Sequence, residues 1–97
     1  MLEMNHDDIF ILAENIFLQK IDGLGKHWVF NIDTGEHYSL NETSYWILER
    51  IAEGLSLQNI LRDFLNTFGV EEKEGTTDFN DIIKTFLDEG IIERSER

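Results

Sequence analysis

At 97 residues with eight basic and twenty acidic side chains, the chain carries a net charge of −12, which repels phosphate backbones and disfavours nucleic acid as a partner. The absence of cysteine excludes disulfides and thiolate metal sites and is compatible with a reducing, cytoplasmic setting. No apolar run approaches the ~20 residues of a membrane span, no basic-then-apolar leader is present, and one domain of this size has a single core to fill.

Residues 1–13 read as a flexible N-terminal segment, polar and aperiodic over Met1 to Asp8, ahead of one domain over 14–97. Within the segment, Ile9 to Leu12 is an optional extended piece. Asn15 to Ile21 predicts a first strand, rich in residues that suit a pleated surface. Asp22-Gly23-Leu24-Gly25 supplies turn chemistry. His27 to Ile32 alternates, with Trp28, Phe30 and Ile32 on one face and His27 and Asn31 on the other. Asp33-Thr34-Gly35 is a tight hairpin signal, and Glu36 to Leu40 returns as a third strand.

Helical periodicity begins at Leu40-Asn41. Asn41 can cap the next turn, and Ser39 with Glu42 forms a competing capping box. Tyr45, Leu48, Ile51 and Ala52 form the apolar stripe of a first helix, widened by Trp46 and Ile47 and stopped at Gly54. Ser56 caps a second, with Ile60, Leu61, Phe64, Leu65 and Phe68 on one face and Gly69 at its end. Val70 to Gly75 reads as an acidic connector. Thr76 or Thr77 caps a third helix with Phe79, Ile82, Ile83, Phe86 and Leu87, stopped at Gly90 before Ile91-Ile92. The fold class is α+β: a three-stranded antiparallel meander followed by three helices, winged-helix-like in outline.

Catalytic chemistry finds little footing. Asp33, Glu36 and Glu42 lack the spacing of a calcium loop. His27 and His37 lie on adjacent predicted strands and can face each other, but two imidazoles without a third ligand make a poor zinc site. Ser39 and Ser44 have no nucleophile-elbow glycines, and Gly23 and Gly25 do not open a phosphate-binding helix. Trp28 and Trp46 read as core aromatics in preference to ligand platforms. Neither enzyme activity, a metal nor a cofactor is expected.

The arrangement does offer an open sheet edge. In a meander the outer strands are Asn15–Ile21 and Glu36–Leu40, and the second presents a row of amides and carbonyls that an extended partner can pair with. The third helix is the natural second wall, with Phe79, Ile83 and Phe86 turned inward and Ile82 at the border.

The run Gly35-Glu36-His37-Tyr38-Ser39-Leu40-Asn41-Glu42-Thr43, followed by Ile47-Leu48 and Gly54, resembles the family of the pyrroloquinoline quinone synthesis protein D (PqqD). The likeness continues through Ser56, Ile60 and Phe68-Gly69-Val70 to Asp78-Phe79, Ile82-Ile83, Phe86-Leu87 and Gly90-Ile91-Ile92, over about residues 14 to 93. Leu55 and the acidic run Glu71 to Glu74 depart from the family pattern and bear on which partner is taken. The resemblance implies a recognition element for ribosomally made, modified peptides. The leader of a precursor peptide adds as an antiparallel strand to the third strand and is presented to a modifying enzyme such as a radical SAM enzyme, cyclase or leader peptidase. Carried over, the edge is Glu36, His37, Tyr38, Ser39 and Leu40, and the wall is Asp78, Ile82, Ile83 and Phe86. Two rivals remain: a winged-helix DNA-binding regulator, opposed by Asp78, Asp81, Asp88 and Glu89 around a single Lys84, and a structural homodimer through the open edge.

Overall fold

The computed structural model describes residues 8–21 and 26–95, so the expected Asp22–Gly25 turn lies outside the described residues, as do residues 1–7 of the N-terminal segment. The elements in order are β1 (Phe10–Leu12), β2 (Ile16–Ile21), β3 (Lys26–Asn31), β4 (His37–Ser39), α1 (Glu42–Ala52), α2 (Leu57–Phe68), α3 (Glu72–Asp88) and β5 (Ile92–Arg94). The α+β order of a meander and then three helices is as expected. Its likeness to a winged helix is loose, because β1 and β5 form a separate two-stranded sheet.

Strands β2, β3 and β4 form the meander, with Val29 opposite both Leu18 and Tyr38. Asn31 organises the β3–β4 hairpin. Its Oδ1 accepts from the amides of Asp33 and Thr34 at 3.0 and 3.2 Å and from Asn15 Nδ2 at 2.9 Å, while Gly35 takes a positive φ of 77°. One side chain thereby ties the hairpin turn to the neighbouring strand.

Residues 8–13 differ from the flexible arm expected over residues 1–13. Phe10 is 1% exposed, and β1 pairs with β5 through Ile11↔Glu93. Ile9 also bridges to Ser56 and accepts from the Ser95 amide at 2.9 Å. The driving force is burial of Phe10, Ile91 and Ile92 in the same apolar cluster.

The helices are capped much as their sequences dictate. Asn41 Oδ1 accepts from the Ser44 amide at 2.8 Å, so Asn41, and not the competing Ser39–Glu42 box, starts α1. Ser56 Oγ accepts from the Asn59 amide at 3.3 Å, and Gly69 closes α2 at φ 61°. The third helix departs from expectation. It starts at Glu72, not at Thr76 or Thr77, and its Glu71 cap makes no side-chain hydrogen bond. Glu72 and Glu74 fall in the first turn, where negative charge is favoured by the helix dipole. Gly75, expected in the connector, is a buried helical residue. A Cβ there would meet the Leu65 side chain and come within 2.6 Å of Val70 Cγ2. The acidic run is therefore the head of a helix, and its glycine permits close approach of α2.

The core gathers Val29 from the meander, Ile47, Leu48 and Ile51 from α1, Ile60 and Phe64 from α2, and Phe79, Ile83 and Phe86 from α3. Trp28 and Phe30 share a face as expected, but that face is the outer one. Val29, at 0% exposure, is the residue of β3 turned to the helices. Trp28 forms an outer aromatic group with Phe30 and His37, at ring separations of 6.4 and 5.5 Å. Ile32 is 62% exposed. Trp46 is partly buried against Phe64 and Phe68, with the Arg50 guanidinium 4.9 Å above it. The core assignment therefore holds for Trp46 and is corrected for Trp28.

Candidate functional site

The meander ends at β4, with no described strand on its far side. Which backbone groups face that open side follows from the ladder. Asn31 donates to Glu36 O at 2.9 Å and Leu40 donates to His27 O at 2.8 Å, in the same register that sets Val29 against Tyr38. Hydrogen-bonded and non-bonded pairs alternate in an antiparallel ladder. Glu36, Tyr38 and Leu40 thus turn their backbone groups toward β3, while His37 and Ser39 turn theirs outward. The outer row offers two donors and two acceptors.

The same alternation separates the side chains. His37 and Ser39 are exposed on the outer face, where the His37 ring lies 5.8 Å from Phe30. Tyr38 points to the helix side and packs against the core with Leu40. Its hydroxyl donates to Glu36 Oε1 at 3.4 Å. Burial first, then the carboxylates of Glu36 and Glu89, push the Tyr38 phenol above its ordinary value of 10.0. Glu89 caps the end of α3, so the start of β4 lies beside the end of that helix.

At the other end of β4, a cavity of about 550 Å³ opens between Asn41 and Thr43 at the head of α1, Phe64 and Phe68 of α2, and Asp78 and Ile82 of α3. Val70 and Asp81 complete its lip. Between these two points, Asp78 by Asn41 and Glu89 by Tyr38, α3 runs antiparallel to β4, and the furrow is the space between the two elements. Along α3 the spacing of Asp78, Ile82, Thr85 and Glu89 puts them on one stripe. Thr85 Oγ1 is turned back onto Asp81 O at 2.9 Å.

Of the residues singled out in the sequence, Asp78 and Ile82 line the cavity, and Glu36 to Leu40 form the border strand and its flanks. Ile83 and Phe86 lie elsewhere. At 0% and 3% exposure they belong to the inner stripe with Phe79 and carry Ile82 from behind. Sequence reasoning missed the α2 contribution, Phe64 and Phe68, because an apolar helix stripe gives no sign of which of its residues will border a gap. Asp81 was legible only as charge.

A second cavity of about 430 Å³ lies on the helix side of the sheet, among Lys20, His27, Leu40, Tyr45 and Glu49. His27 packs there with its ring tilted 45° and centred 4.9 Å from the Tyr45 ring. It occupies the face opposite to His37, so the two imidazoles do not meet across the hairpin. Parity is the reason: His37 stands opposite Phe30, while His27 shares the Val29 face. No cluster of three or more potential metal ligands occurs among the described residues. No helix among them is long and apolar enough to cross a membrane.

Comparison with known proteins adds to this geometry. No curated protein matches the sequence. Among solved structures, the chain is similar to a lasso peptide synthetase B1 complexed with the leader peptide, with a TM-score of 0.76 at 20% identity over 87% of this chain and 96% of that one. It is also similar to TbiB1 in complex with the TbiA(beta) leader peptide, with a TM-score of 0.77 at 15% identity over 90% of this chain and 99% of that one. The family of the coenzyme PQQ synthesis protein D (PqqD) matches residues 26–92, more than half of the chain, and the protein belongs to that family.

Proposed function

We propose that this protein is a non-catalytic peptide-binding adaptor. It captures the leader of a ribosomally synthesised precursor by strand addition to β4 and presents it to a modifying enzyme, such as a radical SAM enzyme, cyclase or leader peptidase. The observation that carries the reading is the outward row of His37 and Ser39 on a strand that leads, through Leu40, to Asn41 at a cavity walled by Ile82. Two solved structures of the same fold are complexes with leader peptides, which supports it. The setting is the cytoplasm, and neither metal nor cofactor takes part.

The magnitudes suit reversible capture. Four backbone hydrogen bonds at ~0.5–1.5 kcal/mol each and two or three apolar anchors at ~1.5–3 kcal/mol each sum to about 5–15 kcal/mol. Ordering and association of a floppy peptide cost a comparable ~4–15 kcal/mol. The anchor in the Phe64–Phe68–Ile82 cavity therefore decides whether the peptide stays.

Duplex DNA is disfavoured by the field of the exposed α3 face, where Asp78, Asp81, Asp88 and Glu89 outnumber Lys84. Amide chemical-shift titration with the precursor leader is the test. Perturbations centred on Glu36–Leu40, on Asp78–Glu89 and on the Phe64–Phe68 end of α2 are expected. A leader that perturbs none of these segments sinks the proposal. The open edge also suits pairing with a second copy, which sedimentation at several concentrations separates from peptide capture.

A further inference from the structure

The furrow beside β4 has a definite polarity. One end holds the apolar side chains: Phe64, Phe68, Val70 and Ile82 line the cavity together with the carboxylates of Asp78 and Asp81, and no lysine or arginine among the described residues lines it. The other end is anionic: Glu36 and Glu89 both act on the Tyr38 hydroxyl, so their carboxylates converge where β4 begins. Asp78 and Asp81 add negative charge along the same wall. Lys84, the cation of this half of α3, lies about a third of a turn or more from the Asp78–Ile82–Glu89 stripe at helical spacing.

Strand parity converts this polarity into a pattern. A strand added antiparallel to β4 places residues opposite one another on the same face. Its residues opposite His37 and Ser39 look outward, toward Trp28 and Phe30. Those opposite Leu40 and Tyr38 look into the furrow. They are two positions apart, and the one opposite Leu40 comes first along the peptide.

We infer that the peptide segment read by this protein has the form apolar–any–basic: a large apolar side chain seated in the Phe64–Phe68–Ile82 cavity and, two residues later, a lysine or arginine between Glu36 and Glu89. The inference rests on strand addition to β4 as proposed above, and it adds the chemical identity of the two furrow-side positions. The cavity supplies a hydrophobic anchor site. The carboxylate pair supplies the counter-charge and rejects an acidic residue at the second position. Together they fix the register, because a slip of one residue turns both side chains out of the furrow.

The experiment uses the full chain and a set of synthetic nine-residue peptides on a threonine–valine background, fluorescein-labelled. Each carries a central leucine followed two positions later by lysine, glutamine or glutamate. Anisotropy gives the affinity, and the His37 and Ser39 amide shifts report on pairing. The lysine peptide is expected to bind about five- to ten-fold more tightly than the glutamate peptide, since an exposed attraction is exchanged for a repulsion. Glu89→Gln should shrink that ratio toward unity, and so should raised salt. Peptides that shift His37 and Ser39 but bind equally well with lysine and glutamate overturn the pattern and leave strand addition standing. Peptides that bind without shifting those amides overturn both. An unchanged ratio in a folded Glu89→Gln variant removes Glu89 from the reading site.

Discussion

Ile82 and Ile83 are adjacent in the chain but differ in role: Ile82, partly buried, lines the cavity past the end of β4, and Ile83 is sealed in the core at 0% exposure. One helical step of about 100° separates a binding surface from a structural one. Substitutions at the two positions should therefore fail in different ways. Ile83→Ala is expected to cost ~2–5 kcal/mol of stability in urea titrations. Ile82→Asp should keep the far-ultraviolet circular dichroism of the parent and lose leader binding by at least about ten-fold, the loss of one anchor. A folded Ile82→Asp protein with parental affinity would remove the furrow from the binding site.

Proline scanning of β4 tests the direction of its amides. The Ser39 amide faces outward, so Ser39→Pro removes a donor only from the added strand. Tyr38→Pro removes a donor from the β3–β4 ladder itself. The first substitution should weaken peptide binding with little change in melting temperature. The second should lower the melting temperature. A larger melting loss from Ser39→Pro than from Tyr38→Pro would show that the ladder parity is reversed.

Gly75→Ala sets two effects against each other. Alanine gains up to ~1 kcal/mol of helix propensity over glycine, but its methyl group would overlap Leu65 and Val70. Overpacking of this kind costs ~1–3 kcal/mol, and the stiff β-branched Val70 cannot withdraw as a longer side chain can. A net loss of about 1 kcal/mol in chemical denaturation is expected. A gain would mean that α2 and α3 separate freely.

The two tyrosines give an optical test of the furrow charge. Burial, then Glu36 and Glu89, raise the Tyr38 phenol, and burial, then Glu49, raise Tyr45. Both raised values belong to the folded state, so the native protein holds these protons where the unfolded chain has released them. The linked stability is complete below pH 10 and falls as pH rises through the raised values. Tyrosinate absorbance should appear above pH 10, and Glu89→Gln should move the Tyr38 part of it downward. A Tyr38 titration left unmoved by Glu89→Gln would contradict the placement of Glu89.

Phe10→Ala tests the N-terminal strand. A fully buried phenylalanine replaced by alanine costs ~3–5 kcal/mol, a large part of the stability of a domain this small. Thermal unfolding of this variant should begin well below that of the parent. An unchanged transition would return residues 8–13 to the status of a loose arm.

The sequence made the order of elements legible because each boundary has local chemistry: Asp33-Thr34-Gly35 at the hairpin, Asn41 and Ser56 at helix starts, Gly69 at a helix end. What escaped it was non-local. Pairing of Ile11 with Glu93 leaves no mark in either three-residue strand, and a buried Gly75 reads locally as a break. The face of β3 was ambiguous for a related reason. Val29 and the flanking Trp28 and Phe30 are all apolar, and only the helices above the sheet select the smaller residue for the core. The candidate site was half legible: Ile82 stood at the margin of the α3 stripe, whereas the contribution of Phe64 and Phe68 depended on how α2 lies against α3.

The clasp of β1 on β5 brings positions 8 and 95 to the same corner of the molecule, where the Ser95 amide bonds to Ile9. A short bridge there with a new opening at the Gly54 bend would circularly permute the protein while leaving the β4 border intact. By the same geometry, the whole unit can be spliced into a loop of an unrelated protein through two neighbouring junctions, carrying its docking edge along unchanged.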